Sequence, residues 1–124
     1  MATPNFFILY VDSPMASAAF YAELFGRPPV ESSPTFALFA LDSGVMLGLW
    51  SKHTVEPAAT VGAGAAEVAF SMGSKEAVES TYRTWTTRGL TILQMPVLMD
   101  FGYTFVALDP DHHRLRVFSP STPQ

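Results

Sequence analysis

From Asn5 to Val11 the chain is an unbroken run of bulky apolar residues, a pattern that predicts a buried strand. Asp12-Ser13-Pro14 then supplies a helix start with proline in the first turn. Ala19, Phe20, Leu24 and Phe25 recur at helical spacing between Ala16 and Phe25, and Gly26 ends that pattern before Pro28-Pro29 forbids its continuation. Phe36 to Leu41 and Val45 to Trp50 read as two strands of a hairpin joined through Asp42-Ser43-Gly44. A further strand around Pro29 to Ser33 is only weakly marked. Ser51 to Gly64 holds Pro57, two glycines and several small residues, and reads as a connection.

The order of elements then begins again. Glu67 to Met72 predicts a strand, and Ser74 to Arg88 a helix with Lys75, Glu76, Glu79 and Arg83 on its wet side. Gly89 stops that helix, and strands follow near Thr91 to Gln94, Tyr103 to Leu108 and Arg114 to Ser119. The recurrence extends to residues. FALD (Phe39 to Asp42) matches VALD (Val106 to Asp109), VMLGLWS (Val45 to Ser51) matches HRLRVFS (His113 to Ser119), and Tyr21 and Tyr82 hold equivalent helix positions. The chain therefore reads as one α+β domain over residues 1–124, built from two βαβββ modules: module one 4–52, linker 53–64, module two 65–120.

Composition narrows the function. With 7 Lys+Arg against 11 Asp+Glu the formal charge is -4, which offers no basic footprint for nucleic acid or an anionic membrane surface. There are no cysteines, hence no disulfide framework or thiolate metal site. No stretch reads as a signal peptide or membrane span, so the expectation is a cytoplasmic protein. The chain is 48% hydrophobic with 10 Phe, more apolar surface than a small domain readily hides, and some of it is expected to line a pocket or an interface.

Three segments, FILYVDSPMASAAFYAELFG, EVAFSM and DFGYTFVALDPDHHRLRVFSP, resemble the vicinal-oxygen-chelate superfamily of glyoxalases, bleomycin-resistance proteins and dioxygenases. The last carries the closest likeness: a Gly-x-x-Phe strand, an Asp-Pro-Asp turn and a final strand, with His112 where the family usually has glycine. The resemblance implies two modules whose curved sheets form a cleft, and a homodimer. Whether the modules pair within or across chains stays open.

The enzymes of that superfamily hold a divalent metal with His, Gln and Glu from the first and last strands of each module. Carried over, those positions fall on Phe6, Gly48 (approximately), Glu67 and Arg116. Phe, Gly and Arg offer no lone pair to a cation, so no metal and no other cofactor are expected. His53 lies in the connection, and His112 and His113 in a turn. No nucleophile motif or phosphate-binding loop takes the metal's place.

Alternation along the last strands puts Met46, Gly48 and Trp50 on one side and Leu47 and Leu49 on the other. The same rule separates Arg114, Arg116 and Phe118 from Leu115 and Val117. An aromatic pocket with a Glu67–Arg116 pair follows. Trp50 is the leading candidate for ligand contact, with Phe36, Leu38, Phe101 and Tyr103 next, Phe6 and Met46 on the same lining, and Glu67, Arg116 and His53 as polar contacts. The expected function is metal-free binding of a planar hydrophobic molecule, an aromatic antibiotic or related metabolite, resembling the bleomycin- and phenazine-resistance branch. A metal-dependent enzyme of glyoxalase or extradiol-dioxygenase type is the alternative, and an interaction domain without a small ligand is a third.

Overall fold

Ser13 and Ser74 each start a helix in the same way: the hydroxyl accepts the backbone N–H three residues on, from Ala16 at 3.2 Å and from Ala77 at 3.1 Å. The computed structural model describes residues 2–121; Met1 and residues 122–124 of the expected domain lie outside them. The chain divides into two compact units after Gly62, inside the stretch read as a connection.

The first unit contains β1 (Phe6–Val11), α1 (Pro14–Phe25), β2 (Glu31–Ser32), β3 (Phe36–Ala40) and β4 (Met46–Ser51). Its sheet has the order β1-β4-β3-β2, with β1 parallel to β4 and the rest antiparallel. Helix α1 ends on Gly26 in the left-handed conformation, its N–H returning to the Ala22 carbonyl. The helix covers β3 and β4, where Ala37, Phe39, Leu47 and Leu49 are buried with Ala18 and Tyr21. Phe25 meets Phe39 edge-on at 5.3 Å.

The second unit repeats the plan with β5 (Glu67–Ser71), α2 (Lys75–Thr87), β6 (Thr91–Met99), β7 (Gly102–Leu108) and β8 (Arg114–Pro120), in the sheet order β5-β8-β7-β6. Trp85 and Tyr82 of α2 pack edge-on against the fully buried Phe105, at 5.6 and 5.3 Å. Leu115 and Val117 complete that core. Two βαβββ modules make this an α+β fold. Among the described residues no helix is long and apolar enough to cross a membrane.

The strand assignments depart from the sequence pattern in three places. The weakly marked strand is only two residues, Glu31–Ser32. β6 runs on through Pro96 to Met99, because it is a sheet edge where the missing N–H costs no ladder bond, and register shifts on both sides of Gln94 absorb the irregularity. β1 is not buried as its apolar run suggests. It too is an edge strand, and of its residues only Val11 is fully enclosed.

The β3–β4 and β7–β8 turns repeat the same backbone hydrogen bonds, with Leu41 rather than Asp42 as the counterpart of Asp109, one residue off the FALD/VALD match. Leu41 N–H donates to Val45 O at 2.9 Å and Gly44 N–H to Leu41 O at 3.0 Å; Asp109, His113 and His112 make the equivalent pair, both at 3.0 Å. Gly44 has φ +90° and its counterpart His112 φ +71°. A side chain in this region costs about 1–2 kcal/mol, partly offset by the greater unfolded-state freedom of glycine. His112→Gly is therefore expected to raise stability by about 0.5–1 kcal/mol, read as a Tm increase of a few degrees in a thermal melt. The neighbouring Asp109 carboxylate fixes the turn by accepting from the Asp111 and His113 N–H groups, each at 2.8 Å.

Candidate functional site

In each unit the helix covers one face of the sheet, and the side chains alternating onto the other face form the candidate site. In the first unit that face carries Phe6, Ile8 and Tyr10 from β1, Met46, Gly48 and Trp50 from β4, and Phe36 and Leu38 from β3. Cross-strand register sets them side by side: Phe6 opposite Met46, Ile8 and Leu38 flanking Gly48, Tyr10 and Phe36 flanking Trp50. Gly48 is the centre. A Cβ there would lie 2.9 Å from the Phe36 ring and 3.1 Å from the Phe6 ring, so the missing side chain is what lets the two rings converge. Phe36 stands edge-on to Trp50 at 6.0 Å. This aromatic floor remains open, with Phe6, Ile8 and Tyr10 each more than 40% exposed.

His53 sits past the end of this face, where its Nε2 pairs with Asp12 Oδ1 at 2.7 Å. That hydrogen bond holds the Asp12 carboxyl below the usual carboxylate range. An ionised Asp12 accepts only, so Nε2 of His53 is the donor.

The second unit places a charged pair where the first has Phe6 and Gly48. Arg116 Nε and Nη2 donate to Glu67 Oε1 and Oε2 at 2.7 and 2.9 Å, a two-pronged bridge, and Nη1 donates to Thr104 Oγ1 at 3.2 Å. The guanidinium hydrogen bonds hold the Glu67 carboxyl below its ordinary range against the opposing effect of burial, helped by the charges of Arg116 and Arg114. The Arg116 guanidinium also lies 5.7 Å from the Phe101 ring centre, and Phe101 meets Phe118 edge-on at 5.9 Å.

Tyr103 is the one aromatic candidate that turns away. Its hydroxyl donates to Glu79 Oε2 at 2.9 Å and Lys75 Nζ lies 4.9 Å from its ring centre, so it faces α2, opposite to Arg116. The bond to Glu79 raises its phenol pKa. Phe101 and Tyr103 are two residues apart, but Phe101 belongs to the turn before β7, where strand alternation has not begun.

The metal positions do not fit a metal. Phe6 and Gly48 have no donor atom, Arg116 is a cation, and both oxygens of Glu67 are engaged by Arg116. Among the described residues no three His, Asp or Glu side chains gather as a cation site. Ile8, Tyr10 and Asp12 escaped the sequence reading although alternation from Phe6 would have found all three, because an all-apolar run conceals which residues face out.

The family model for the glyoxalase/bleomycin resistance protein/dioxygenase superfamily matches residues 3–117. The chain belongs to that superfamily. It is 29% identical over 118 residues to the phenazine antibiotic resistance protein EhpR of Enterobacter agglomerans, a match covering 93% of this chain and 90% of the relative. The solution structure of protein ATC0852 from Agrobacterium tumefaciens is 53% identical, covers 98% of this chain and 100% of that one, and superposes with a TM-score of 0.91. A glyoxalase-related enzyme from Fulvimarina pelagi shares the superfamily fold at 21% identity, with a TM-score of 0.83 and coverage of 96% and 88%. Homology to EhpR supports a resistance or binding role, within a superfamily that also contains enzymes.

Proposed function

We propose that this chain binds a planar, hydrophobic small molecule, an aromatic antibiotic or related metabolite, without a metal, and confers resistance by sequestering it. The observation that carries the reading is the open aromatic floor around Gly48, where Phe6, Phe36 and Trp50 gather at a position that in metal-dependent relatives would supply a ligand to the ion. A soluble domain gains nothing in stability from leaving such rings exposed. The name of the phenazine-resistance relative supplies a ligand class of matching shape.

Covering one face of a three-ring aromatic removes on the order of 100 Å² of apolar surface from water, which at about 25 cal/mol/Å² contributes roughly 2.5 kcal/mol. Micromolar affinity needs about 8 kcal/mol, so further contacts must supply the balance. Stacking on a single aromatic side chain is worth about 1–3 kcal/mol, so Trp50→Ala is expected to weaken phenazine binding by tenfold or more. The check is a titration followed by tryptophan fluorescence and thermal shift. Trp85 is buried between α2 and the second sheet, so quenching lost in Trp50→Ala is assigned to the open face. Saturable stabilisation by the planar ligand, indifferent to added divalent metal, supports the reading. Stabilisation by metal alone overturns it.

A further inference from the structure

We infer that Gly48 determines which ligand shape the open face of the first unit accepts. By carrying no side chain it lets two phenyl rings lie down across β4, and the floor they make takes a fused three-ring system that is flat from end to end and discriminates against a folded one. This rests on the binding reading above and deepens it by naming the residue that enforces planarity.

The packing over Gly48 is diagonal. Its direct cross-strand partners are Ile8 and Leu38, yet the atoms nearest to the Cβ it lacks are Phe36 Cζ at 2.9 Å, Phe36 Cε1 at 3.1 Å and Phe6 Cε1 at 3.1 Å. Phe6 lies opposite Met46 and Phe36 opposite Trp50, so the two rings arrive over β4 from opposite corners. A Cβ sits about 1.5 Å from its Cα, which puts these ring atoms within roughly 4.6 Å of the Gly48 Cα. A phenyl standing upright on a neighbouring strand, about 4.8 Å to the side, would hold its tip much farther away. Both rings therefore lean down over the glycine.

The fold does not call for glycine at this position. In the strand register of the second unit Arg116 takes the place of Gly48, Glu67 that of Phe6 and Thr104 that of Phe36. The same diagonal contacts recur there as the hydrogen bonds of Arg116 to Glu67 and Thr104, so the repeat accommodates one of the longest side chains where the first unit has none. Glycine inside a strand is also destabilising relative to alanine, and the nearest atoms a methyl at Gly48 would press on are ring tips, not backbone. What the glycine changes is the surface. Phe6 and Phe36 meet across β4, and Trp50 stands edge-on to Phe36 at 6.0 Å, which gives a run of rings over three strands. A flat tricycle laid on it touches both phenyls at once, whereas a folded one touches one or the other.

The test sets phenazine, which is flat, against phenothiazine, whose three six-membered rings are folded along the line through sulfur and nitrogen. Both are titrated against the wild-type protein, Gly48→Ala and Phe6→Leu. A folded tricycle gives up about half of the ring contact, so wild type is expected to prefer phenazine by about tenfold. Gly48→Ala pushes the rings apart and Phe6→Leu removes one of them. Either change is expected to bring the ratio close to one by weakening phenazine, while the Tm of Gly48→Ala stays within about 2 °C of wild type. If wild type binds phenazine but shows no preference, or keeps its preference in Gly48→Ala, the inference fails and the binding reading stands; the second result is the one expected if Phe6 and Phe36 cover the glycine only to stabilise the sheet. A Tm loss of about 5 °C or more in Gly48→Ala also overturns the inference, because the methyl would then meet more than ring tips. If phenazine does not bind wild type, the binding reading fails first and takes the inference with it.

Discussion

Gly102→Ala is expected to lower Tm by on the order of 15 °C, the largest effect of any glycine-to-alanine change in this chain. Gly102 opens β7 with φ +152°, and a Cβ built there would lie 2.0 Å from the Ser119 carbonyl oxygen and 2.9 Å from Pro120 Cα. Both obstacles are backbone of the neighbouring strand β8, so no rotamer change relieves the clash. Either β7 separates from β8, losing the Gly102–Pro120 and Tyr103–Ser119 pairing, or the strand start rotates and Phe105 is drawn from its pocket between Tyr82 and Trp85. Overpacking costs about 1–3 kcal/mol and the φ strain adds about 1–3 more. A total near 4 kcal/mol corresponds to the stated shift for a domain of this size. Gly62→Ala is the control: nothing lies within 4 Å of its Cβ position, and its Tm should stay within about 2 °C. Equal Tm values for the two variants, by calorimetry, would show that β8 does not approach Gly102 as closely as described.

The same residue explains why the Gly-x-x-Phe pattern was the most informative in the sequence. Gly102 is needed for backbone approach and Phe105, three residues on, for the core, so two physical requirements are written at fixed spacing. The repeat was legible for a similar reason. Gly44 and His112 hold equivalent turn positions, and the two serine caps mark equivalent helix starts.

Facing was harder to read. That Phe6, Ile8 and Tyr10 are left exposed depends on β1 being a sheet edge, a property of strand order that no local pattern records. Tyr103 was named beside Phe101 on the resemblance, whereas its place within β7 turns it toward α2, to Glu79 and Lys75. The end of β6 was read short because Pro96 made the strand seem to stop, whereas an edge strand tolerates it. The Glu67–Arg116 pair was legible in outline, since alternation and the two-module pattern bring both to one face; its two-pronged geometry required the register of β5 on β8, which sets Ala69 rather than Glu67 opposite Arg116.

That pair yields the second large effect. Arg116→Leu is expected to destabilise the protein by about 2 kcal/mol at neutral pH, whereas Glu67→Gln/Arg116→Leu should recover most of the loss. Arg116 is mostly enclosed, at 18% side-chain exposure, and Glu67 is partly covered, at 31%, so removing the guanidinium leaves a carboxylate partly desolvated and unpaired and strips Thr104 of a donor. The full penalty for a broken buried pair is about 3–5 kcal/mol, and the remaining solvent access reduces it. Removing both charges eliminates the unpaired ion, which is why the double variant recovers.

The pH dependence follows with a definite sign. Glu67 has a lower pKa folded than unfolded, so its contribution is fully present above the unfolded value, near the ordinary glutamate figure of 4.5, and is lost as pH falls through the folded one. The gap in stability between wild type and Arg116→Leu should accordingly be widest near neutrality and shrink below about pH 4.5 as the carboxyl protonates in both. Urea melts across this range measure it directly. A gap that stays constant on acidification would mean that the guanidinium stabilises the sheet through packing against Phe101 alone, and that the site can carry a free carboxylate for ligand contact.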